Sequence, residues 1–306
     1  DALVGATFDR IALGSEGFRI KVIGRRVFIL SGGEHGTKKG VQHFLRTFVP
    51  EKPDQEAAAS LAIPAEYDYA EPQKYAISDV KIAERSLANF AIIPLADDRE
   101  PAALLRDLIF QHTGYWLEIA APDAPKKPAI LFSSQKPEAA ESFELLEQKG
   151  DVVLKTDLPG GFVRGLYAFF ASVVSRSQGS LAMPETYAFR KAFGPAVLYS
   201  DFGARGDGVT DDVEAILCAH AFANQLNLPV KADQDAKYYL GGTDTTVVIQ
   251  TDTDFGNAEI LIDDTNVENL VTPVFIVKSK LESYRLKDVE NLKRRQANLG
   301  VALPQR

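Results

Sequence analysis

The stretch that decides the predicted fold covers residues 199–216 and reads Tyr-Ser-Asp-Phe-Gly-Ala-Arg-Gly-Asp-Gly-Val-Thr-Asp-Asp-Val-Glu-Ala-Ile. Its three glycines allow backbone angles that other residues avoid, so the pattern predicts a strand end followed by a sharp turn. We expect Thr210 to cap a helix, with Asp211 and Asp212 in its first turn, where carboxylates favour the positive end of the helix dipole. Apolar spacing predicts that one face of this helix is buried. That face consists of Val213, Ile216, Leu217, His220 and Ala221.

The fixed positions of this stretch resemble the entry signature of the pectate-lyase-like superfamily of right-handed parallel β-helices. In that family the pattern Asp-Phe-Gly-Ala-x-Gly-Asp-Gly-x-Thr-Asp-Asp-x-x-Ala-Ile leads into the helix that caps the N-terminal end of the solenoid. The resemblance covers residues 197–280 and implies a cap helix followed by the first rungs of a parallel β-helix over residues 199–306. Short β-forming runs agree with this expectation. They are Lys237–Leu240, Thr245–Thr251, Glu259–Ile262 and Val274–Val277.

Several rungs are needed to bury a stable solenoid core, and each rung takes about two dozen residues. Few rungs fit between the predicted cap helix and Arg306. We therefore expect the chain to be the N-terminal part of a longer protein. The chain starts at Asp1 and shows no signal peptide, so a targeting segment removed by processing is also compatible with the sequence.

An internal repeat precedes this region. Residues 16–49 match residues 141–174 without a gap, and the matched positions include two glycines and several aromatic side chains. Both copies read as strand, turn, strand, loop and helix. The predicted helix faces are Val41, Phe44, Leu45 and Phe48 in the first copy and Leu166, Phe169, Phe170 and Val173 in the second. The paired glycines that open each helix favour close packing of the helix on its sheet, because their spacing matches no nucleotide-binding fingerprint.

The second copy belongs to a longer predicted module over residues 85–180, with the order β-α-β-β-β-α. Pro101 suits a first helical position, and Gly114 suits a C-cap. This order resembles the small N-terminal domain of α-glucuronidases and β-hexosaminidases, an accessory domain without catalytic residues. Residues 1–50 are predicted to be a partial first copy, with linkers at 51–84 and 181–198. The predicted fold class is therefore a set of duplicated α/β (α+β) sandwich modules followed by the start of a right-handed parallel β-helix with an N-terminal cap helix.

Four aspartates form the acidic set that most resembles catalytic residues: Asp252, Asp254, Asp263 and Asp264. Paired carboxylates serve as general acid and base in glycoside hydrolysis, and carboxylate oxygens also bind calcium. The alternative is that these residues form turns, where Asp bonds its own backbone. The turn interpretation is favoured, and it likewise accounts for Asp207, Asp211 and Asp212.

Tyr115 and Trp116 follow the predicted C-cap and are candidates for stacking on a sugar ring, with a place at the edge of the core as the alternative. Asp252 and Asp254 complete the weak substrate-binding candidates, and no catalytic residue is assigned. Cys218 lies in an apolar helix pattern and is predicted to be a buried, inert thiol. No Cys/His spacing indicates a zinc site, so no metal and no cofactor are expected.

Composition narrows the function classes. The formal net charge is −8 and the sequence pI is about 5.2, which disfavours general nucleic-acid binding. No apolar run is long enough to span a membrane. The two family resemblances imply the N-terminal part of a polysaccharide-active enzyme, either a glycoside hydrolase or a polysaccharide lyase, in which these residues are accessory. The alternative is a non-catalytic glycan-binding or architectural cell-surface protein. In both cases we expect a polysaccharide or oligosaccharide partner and a secreted, periplasmic or cell-surface location.

Overall fold

The computed structural model divides the chain into two compact units, residues 1–205 and residues 206–306, and each is described by itself. The residues that the structure describes are 9–49, 63–75, 77–95, 99–121, 128–174, 177, 179–241, 245–265, 267 and 271–280.

The first unit opens with a small three-stranded antiparallel sheet covered by one long helix. Its elements are α1 (Arg10–Leu13), β1 (Phe18–Ile23), β2 (Arg26–Ser31), α2 (Glu34–Phe48) and β3 (Glu66–Glu71). The strand order is β2-β1-β3. Phe18, Ile20 and Val22 alternate along β1 and are buried under α2. The helix approaches the sheet at Gly40, where an added Cβ atom would lie 2.7 Å from Ile29 Cγ2.

Strand β3 lies in a region that the sequence assigns to a linker. Its Tyr69 ring stacks on His43 of α2, with centroids 4.2 Å apart, and its Tyr67 ring meets Phe48 edge-on at 5.1 Å. These contacts hold the strand beside β1, with Ile20 opposite Tyr69. The described part of the predicted linker, residues 63–75 and 77–84, therefore contains strands, and aromatic contacts with α2 hold β3 in the sheet. Residues 51–62 of that predicted linker lie outside the described residues.

The remainder of the first unit is a larger α/β assembly. Its elements are β4 (Ile77–Ile82), β5 (Arg85–Ser86), a 3₁₀ turn (Leu87–Asn89), β6 (Ala91–Ile93), α3 (Glu100–Thr113), β7 (Glu118–Ile119), β8 (Ala129–Ser133), β9 (Ser142–Gln148), β10 (Asp151–Thr156), α4 (Gly161–Val174), β11 (Gly179–Met183), β12 (Ala188–Ala192), β13 (Val197–Leu198) and a second 3₁₀ turn (Tyr199–Phe202).

A mixed six-stranded sheet runs β12-β9-β10-β8-β6-β7, and a three-stranded sheet runs β11-β4-β5. Strands β10, β8, β6 and β7 are parallel to one another, whereas β9 is antiparallel to both β10 and β12. Helices α3 and α4, both sheets and the first 3₁₀ turn contribute to one apolar core. Gly165 allows the closest approach between α4 and β9, since a Cβ atom there would lie 2.0 Å from Phe143 Cγ. The predicted packing role of these glycines is consistent with this contact.

A buried ion pair ties α4 to the end of the first unit. Arg164 donates from Nε and Nη2 to Asp201 Oδ2, at 2.9 and 2.7 Å, and from Nη2 to the carbonyl of Ala196. Lys191 Nζ lies 2.7 Å from the other carboxylate oxygen of Asp201. The guanidinium also lies over the ring of Phe193. The segment predicted as a linker over 181–198 therefore holds strands β12 and β13 and part of a charged network, in contrast to that prediction.

The second unit consists of one helix and short strands. They are β14 (Asp207–Asp211), α5 (Val213–Leu226), β15 (Val230–Lys231), β16 (Lys237–Leu240), β17 (Val247–Ile249), β18 (Thr253–Asp254), β19 (Glu259–Ile262) and β20 (Phe275–Val277). All its strand pairs are parallel among the described residues: β14-β16-β19, β15-β18 and β17-β20. Helix α5 buries Val213, Ile216, Ala219 and His220.

The predicted fold class is wrong. The chain is a mixed α/β structure with small separate sheets of two to six strands, and its described residues do not form the expected duplicated sandwiches followed by a continuous solenoid. The strands of the second unit have two to five residues each, and a fourteen-residue helix interrupts them after β14. The first copy of the repeat also differs from the second, because it joins a three-stranded sheet instead of a six-stranded one.

The start of α5 also differs from the prediction. Thr210 and Asp211 belong to β14, and the helix begins at Val213 with Asp212 at the N-cap position. Asp207 accepts hydrogen bonds from the backbone N–H groups of Val209 and Thr210, which closes a turn at the point where the sequence predicts a helix cap.

Candidate functional site

Trp116 lies on the first unit, in the loop between α3 and β7. Helix α3 ends at Gly114, whose φ of 76° and ψ of 0° give the left-handed cap that the sequence predicts. The chain then turns outward, so that 44% of Trp116 is exposed, whereas the next residue, Leu117, is buried. Leu117 therefore belongs to the core, and the neighbouring Trp116 is accessible to a ligand.

Two side chains of α3, Arg106 and Phe110, contact the Trp116 ring. The guanidinium carbon of Arg106 lies 4.0 Å from the ring centroid, and Phe110 meets the ring edge-on at 5.3 Å. Arg106 donates from Nε and Nη2 to Asp107 Oδ1, both at 3.2 Å. We call Arg106, Asp107, Phe110 and Trp116 the Trp116 surface. Its α3 members were not predicted from the sequence, although the four-residue spacing of Arg106 and Phe110 places both on one side of a helix.

The Trp116 surface combines an apolar ring with hydrogen-bonding groups. An indole offers a flat apolar body, a guanidinium offers only donors and a carboxylate only acceptors. A sugar ring has the complementary chemistry, with C–H groups on its faces and hydroxyl groups around its rim. Asp107 is 60% exposed and Arg106 is 24% exposed, so both can reach a ligand that lies on Trp116.

Tyr115 has a different role from its neighbour. Its hydroxyl donates to the carbonyl of Ser78 at 3.0 Å, and its backbone N–H donates to Thr113 Oγ1 at 3.2 Å. The side chain packs against the apolar core of the unit and is half-buried. Tyr115 therefore links the α3–β7 loop to β4, and of the two predicted aromatic candidates Trp116 is the one that is available for binding.

The other two candidates, Asp252 and Asp254, lie on the second unit at and next to β18. Their carbonyl groups accept hydrogen bonds from Val230 and Ala232, and both residues are exposed. Asp254 Oδ1 also accepts from the backbone N–H of Gly256 at 2.9 Å, which is the turn geometry proposed as the alternative to a catalytic role. Lys231 Nζ lies 4.0 Å from the other oxygen of Asp254, an exposed and weak ion pair.

Asp263, from the same acidic set, is hydrogen-bonded by three donors. Tyr239 donates its hydroxyl to Asp263 Oδ2 at 2.6 Å, and Thr265 donates its backbone N–H and its hydroxyl to Oδ1. The bonds from Thr265 and Tyr239 lower the pKa of Asp263 to about 2. The hydrogen bond between Tyr239 and Asp263 raises the pKa of Tyr239, and the charge of Asp211 makes a smaller contribution. Asp211 itself accepts from the N–H groups of Gly241 and Val213.

A small apolar cavity lies inside the first unit. Its volume is about 50 Å³, and its walls include Leu105, Ile109, Phe169 and Phe170. His112 stands at its edge, stacked on Phe170 with the ring centroids 5.5 Å apart, and burial lowers the pKa of its imidazole. The cavity is too small for a sugar ring and offers few polar groups, so it is a packing defect of the core and not a substrate site.

In the part of the chain that the structure describes, no group of three or more His, Cys, Asp or Glu side chains is placed to hold a metal ion. Cys218 is half-buried, with Sγ 3.8 Å from Glu214 Oε1, and so is more accessible than predicted. Among the described helices, none combines the length and the apolar character needed to cross a membrane.

Comparison with known proteins adds no family assignment: no protein-family model matches the chain, and no curated protein matches it. The two family resemblances therefore depend on the sequence motifs alone, and the site must be interpreted from its own geometry.

Proposed function

We propose that this chain binds polysaccharide through the Trp116 surface and does not itself cleave it. The observation that carries the proposal is the half-exposed Trp116 ring, held by Arg106 and Phe110 and bordered by Asp107. Because neighbouring side chains already hold the ring, little conformational entropy is lost when a ligand stacks on it. A sugar unit would stack on the indole, and its hydroxyl groups would bond to the guanidinium and the carboxylate.

Within the acidic set of the second unit, Asp263 does not suit the role of general acid. A general acid must be protonated near the working pH, whereas Asp263, with a pKa of about 2, stays ionised. Asp254 has one oxygen committed to a turn. Cleavage of the glycan, as hydrolase or lyase, stays a prediction that depends on the two family resemblances. A secreted, periplasmic or cell-surface location also stays a prediction.

Trp116 is the only tryptophan of the chain, so its fluorescence reports directly on the proposed site. The experiment titrates residues 1–306 with soluble xylan, β-glucan, pectin and dextran, and follows emission together with affinity gel electrophoresis. We expect at least one polysaccharide to shift the emission and retard the protein. Trp116→Ala should weaken the retardation by about tenfold, which corresponds to ~1.4 kcal/mol.

Val209→Ala serves as the matched control, because Val209 is 80% exposed and lies on the other unit. It should bind like the parent chain. The same mixtures are assayed for new reducing ends and for unsaturated uronates, and neither should accumulate. The proposal fails if no polysaccharide binds or if Trp116→Ala binds as well as the parent, and release of cleaved product would refute its non-catalytic part.

A further inference from the structure

The internal repeat allows a comparison between equivalent positions of two packing environments. A shift of 125 residues maps β1, β2 and α2 onto β9, β10 and α4. The hairpin registers correspond, since Phe18 pairs with Ser31 and Phe143 pairs with Thr156. The close helix–sheet contact corresponds as well, because Gly40 lies against Phe18 as Gly165 lies against Phe143. A difference in burial between the copies therefore reflects what covers each one.

The outer face of the helix is covered in the second copy and open in the first. Leu166 and Phe170 of α4 are buried, with 0% and 9% exposed, in a core to which α3 and β4 also contribute. Their counterparts on α2 are Val41 and Leu45, which are 40% and 48% exposed. Phe44 is only partly buried, whereas its counterpart is buried. Helix α2 thus presents to solvent the apolar face that α4 buries.

The edge of the sheet at β2 is also open in the first copy. In the second copy, the outer edge of β10 pairs with the parallel strand β8. Its counterpart β2 is an edge strand in the described residues, because the sheet order is β2-β1-β3. The first residues of β2 are exposed, and Val27 is among the exposed large apolar side chains. An edge strand leaves backbone N–H and C=O groups available to another strand.

Positively charged residues lie on or next to β2 and α2. Arg25 and Arg26 lie at the turn into β2, and Lys38 and Arg46 lie on α2. Lys38 forms an exposed pair with Glu34 at 3.4 Å, whereas in the described part of the chain no carboxylate lies within ion-pair distance of the three arginines. These cations stand out on a chain whose formal net charge is −8.

From these observations we infer that β2 and α2 form a docking surface for a strand-and-helix segment of another polypeptide that carries acidic residues. The strand would extend the sheet at β2, the apolar face of the helix would cover Val41 and Leu45, and carboxylates would pair with the arginines. The hydrocarbon core of a bilayer cannot form hydrogen bonds with the backbone N–H and C=O groups at the edge of β2. A second copy docked on this same surface would place arginine against arginine, which costs binding energy.

The probe for the test is a synthetic fluorescent peptide with a Val/Thr strand, a Gly-rich loop and a helix that has leucine on one face and glutamate beside it. A second peptide has lysine in place of every glutamate. Titrated with residues 1–306, the acidic peptide should bind in fluorescence anisotropy and the basic peptide should not. Binding should also slow hydrogen exchange of the β2 amides, which a purely electrostatic contact would leave unchanged.

Leu45→Glu should weaken binding of the acidic peptide by about tenfold or more, with Leu45→Ser as a milder variant in case the first affects folding. Val271→Glu is the control, since Val271 is 87% exposed and lies on the other unit. Three results would overturn the inference: no binding of the acidic peptide, a dimer in sedimentation that Leu45→Glu dissociates, or binding to phosphatidylserine vesicles that Leu45→Glu abolishes. The first result would show that β2 and α2 do not bind such a segment. The second would show that they bind a second copy of the chain, and the third that they bind a membrane.

Discussion

Replacing Gly165 by alanine tests the packing between α4 and the six-stranded sheet. The new Cβ atom would lie 2.0 Å from Phe143 Cγ and 2.2 Å from Cδ2, whereas carbon atoms in contact are separated by about 3.5–4.0 Å. Phe143 has no exposed surface and packs edge-on against Phe189, so its ring cannot rotate away. Either α4 must move off β9 or the ring must leave its rotamer.

The size of the effect follows from two opposing contributions. Overpacking of a close-packed core costs about 1–3 kcal/mol, and an overlap with a fixed ring belongs at or above the upper end of that range. Alanine is about 1 kcal/mol better than glycine inside a helix. We therefore expect Gly165→Ala to lower the free energy of unfolding by about 2 kcal/mol, which corresponds to a fall in Tm of roughly 4–8 °C for a unit of this size.

Urea denaturation followed by the emission of Trp116 measures this change, since the only tryptophan lies on the same unit. Gly194→Ala is the matched control, because no atom lies within 4 Å of its added Cβ. Gly40→Ala should fall between the two, since its Cβ atom meets the side chain of half-buried Ile29. The packing argument is refuted if Gly165→Ala and Gly194→Ala have the same stability within 0.5 kcal/mol, a difference typical of neutral substitutions.

Three further predictions concern charged groups. Burial lowers the pKa of His220 to about 4, so the unfolded chain binds a proton more readily than the folded chain. The free energy of unfolding should therefore fall by about 2–3 kcal/mol as the pH drops from 6.5 to 4. Urea denaturation at both pH values should show that His220→Leu loses this part of the pH dependence. Arg164→Met leaves the carboxylate of Asp201 buried without its main partner, so thermal unfolding should show a loss of about 3–5 kcal/mol of stability. Combining Arg164→Met with Asp201→Leu should recover much of this stability. If Arg164→Met alone is within about 1 kcal/mol of the parent, the pair has no structural role. Asp263→Asn should move the pKa of Tyr239 down towards its ordinary value, because it weakens the hydrogen bond that raises this pKa. Ultraviolet titration against a Tyr239→Phe baseline measures the pKa. An unchanged pKa would contradict the hydrogen bond as the cause.

Local features of the chain could be predicted from the sequence. Both copies of the repeat form the predicted strand, turn and strand, because alternating side chains and a turn glycine act over few residues. The C-cap at Gly114 needs only a residue that tolerates positive φ. The N-cap prediction at Thr210 was wrong, because Asp207 accepts a hydrogen bond from the backbone N–H of Thr210 in a turn and the helix begins only at Val213.

The sequence alone therefore indicated the two hairpins of the repeat with the helices that follow them, and that these are copies of one unit. It did not indicate strands β3, β12 and β13, which lie in segments predicted as linkers. Only the tertiary structure decided what covers each copy: the same apolar helix pattern is buried in α4 and exposed in α2. It also decided that Trp116 faces solvent and that the second unit consists of separate short parallel sheets. The physical reason is that strand and helix propensities depend on neighbours along the chain, whereas burial and sheet order depend on segments that are distant in sequence and meet only when the chain has folded.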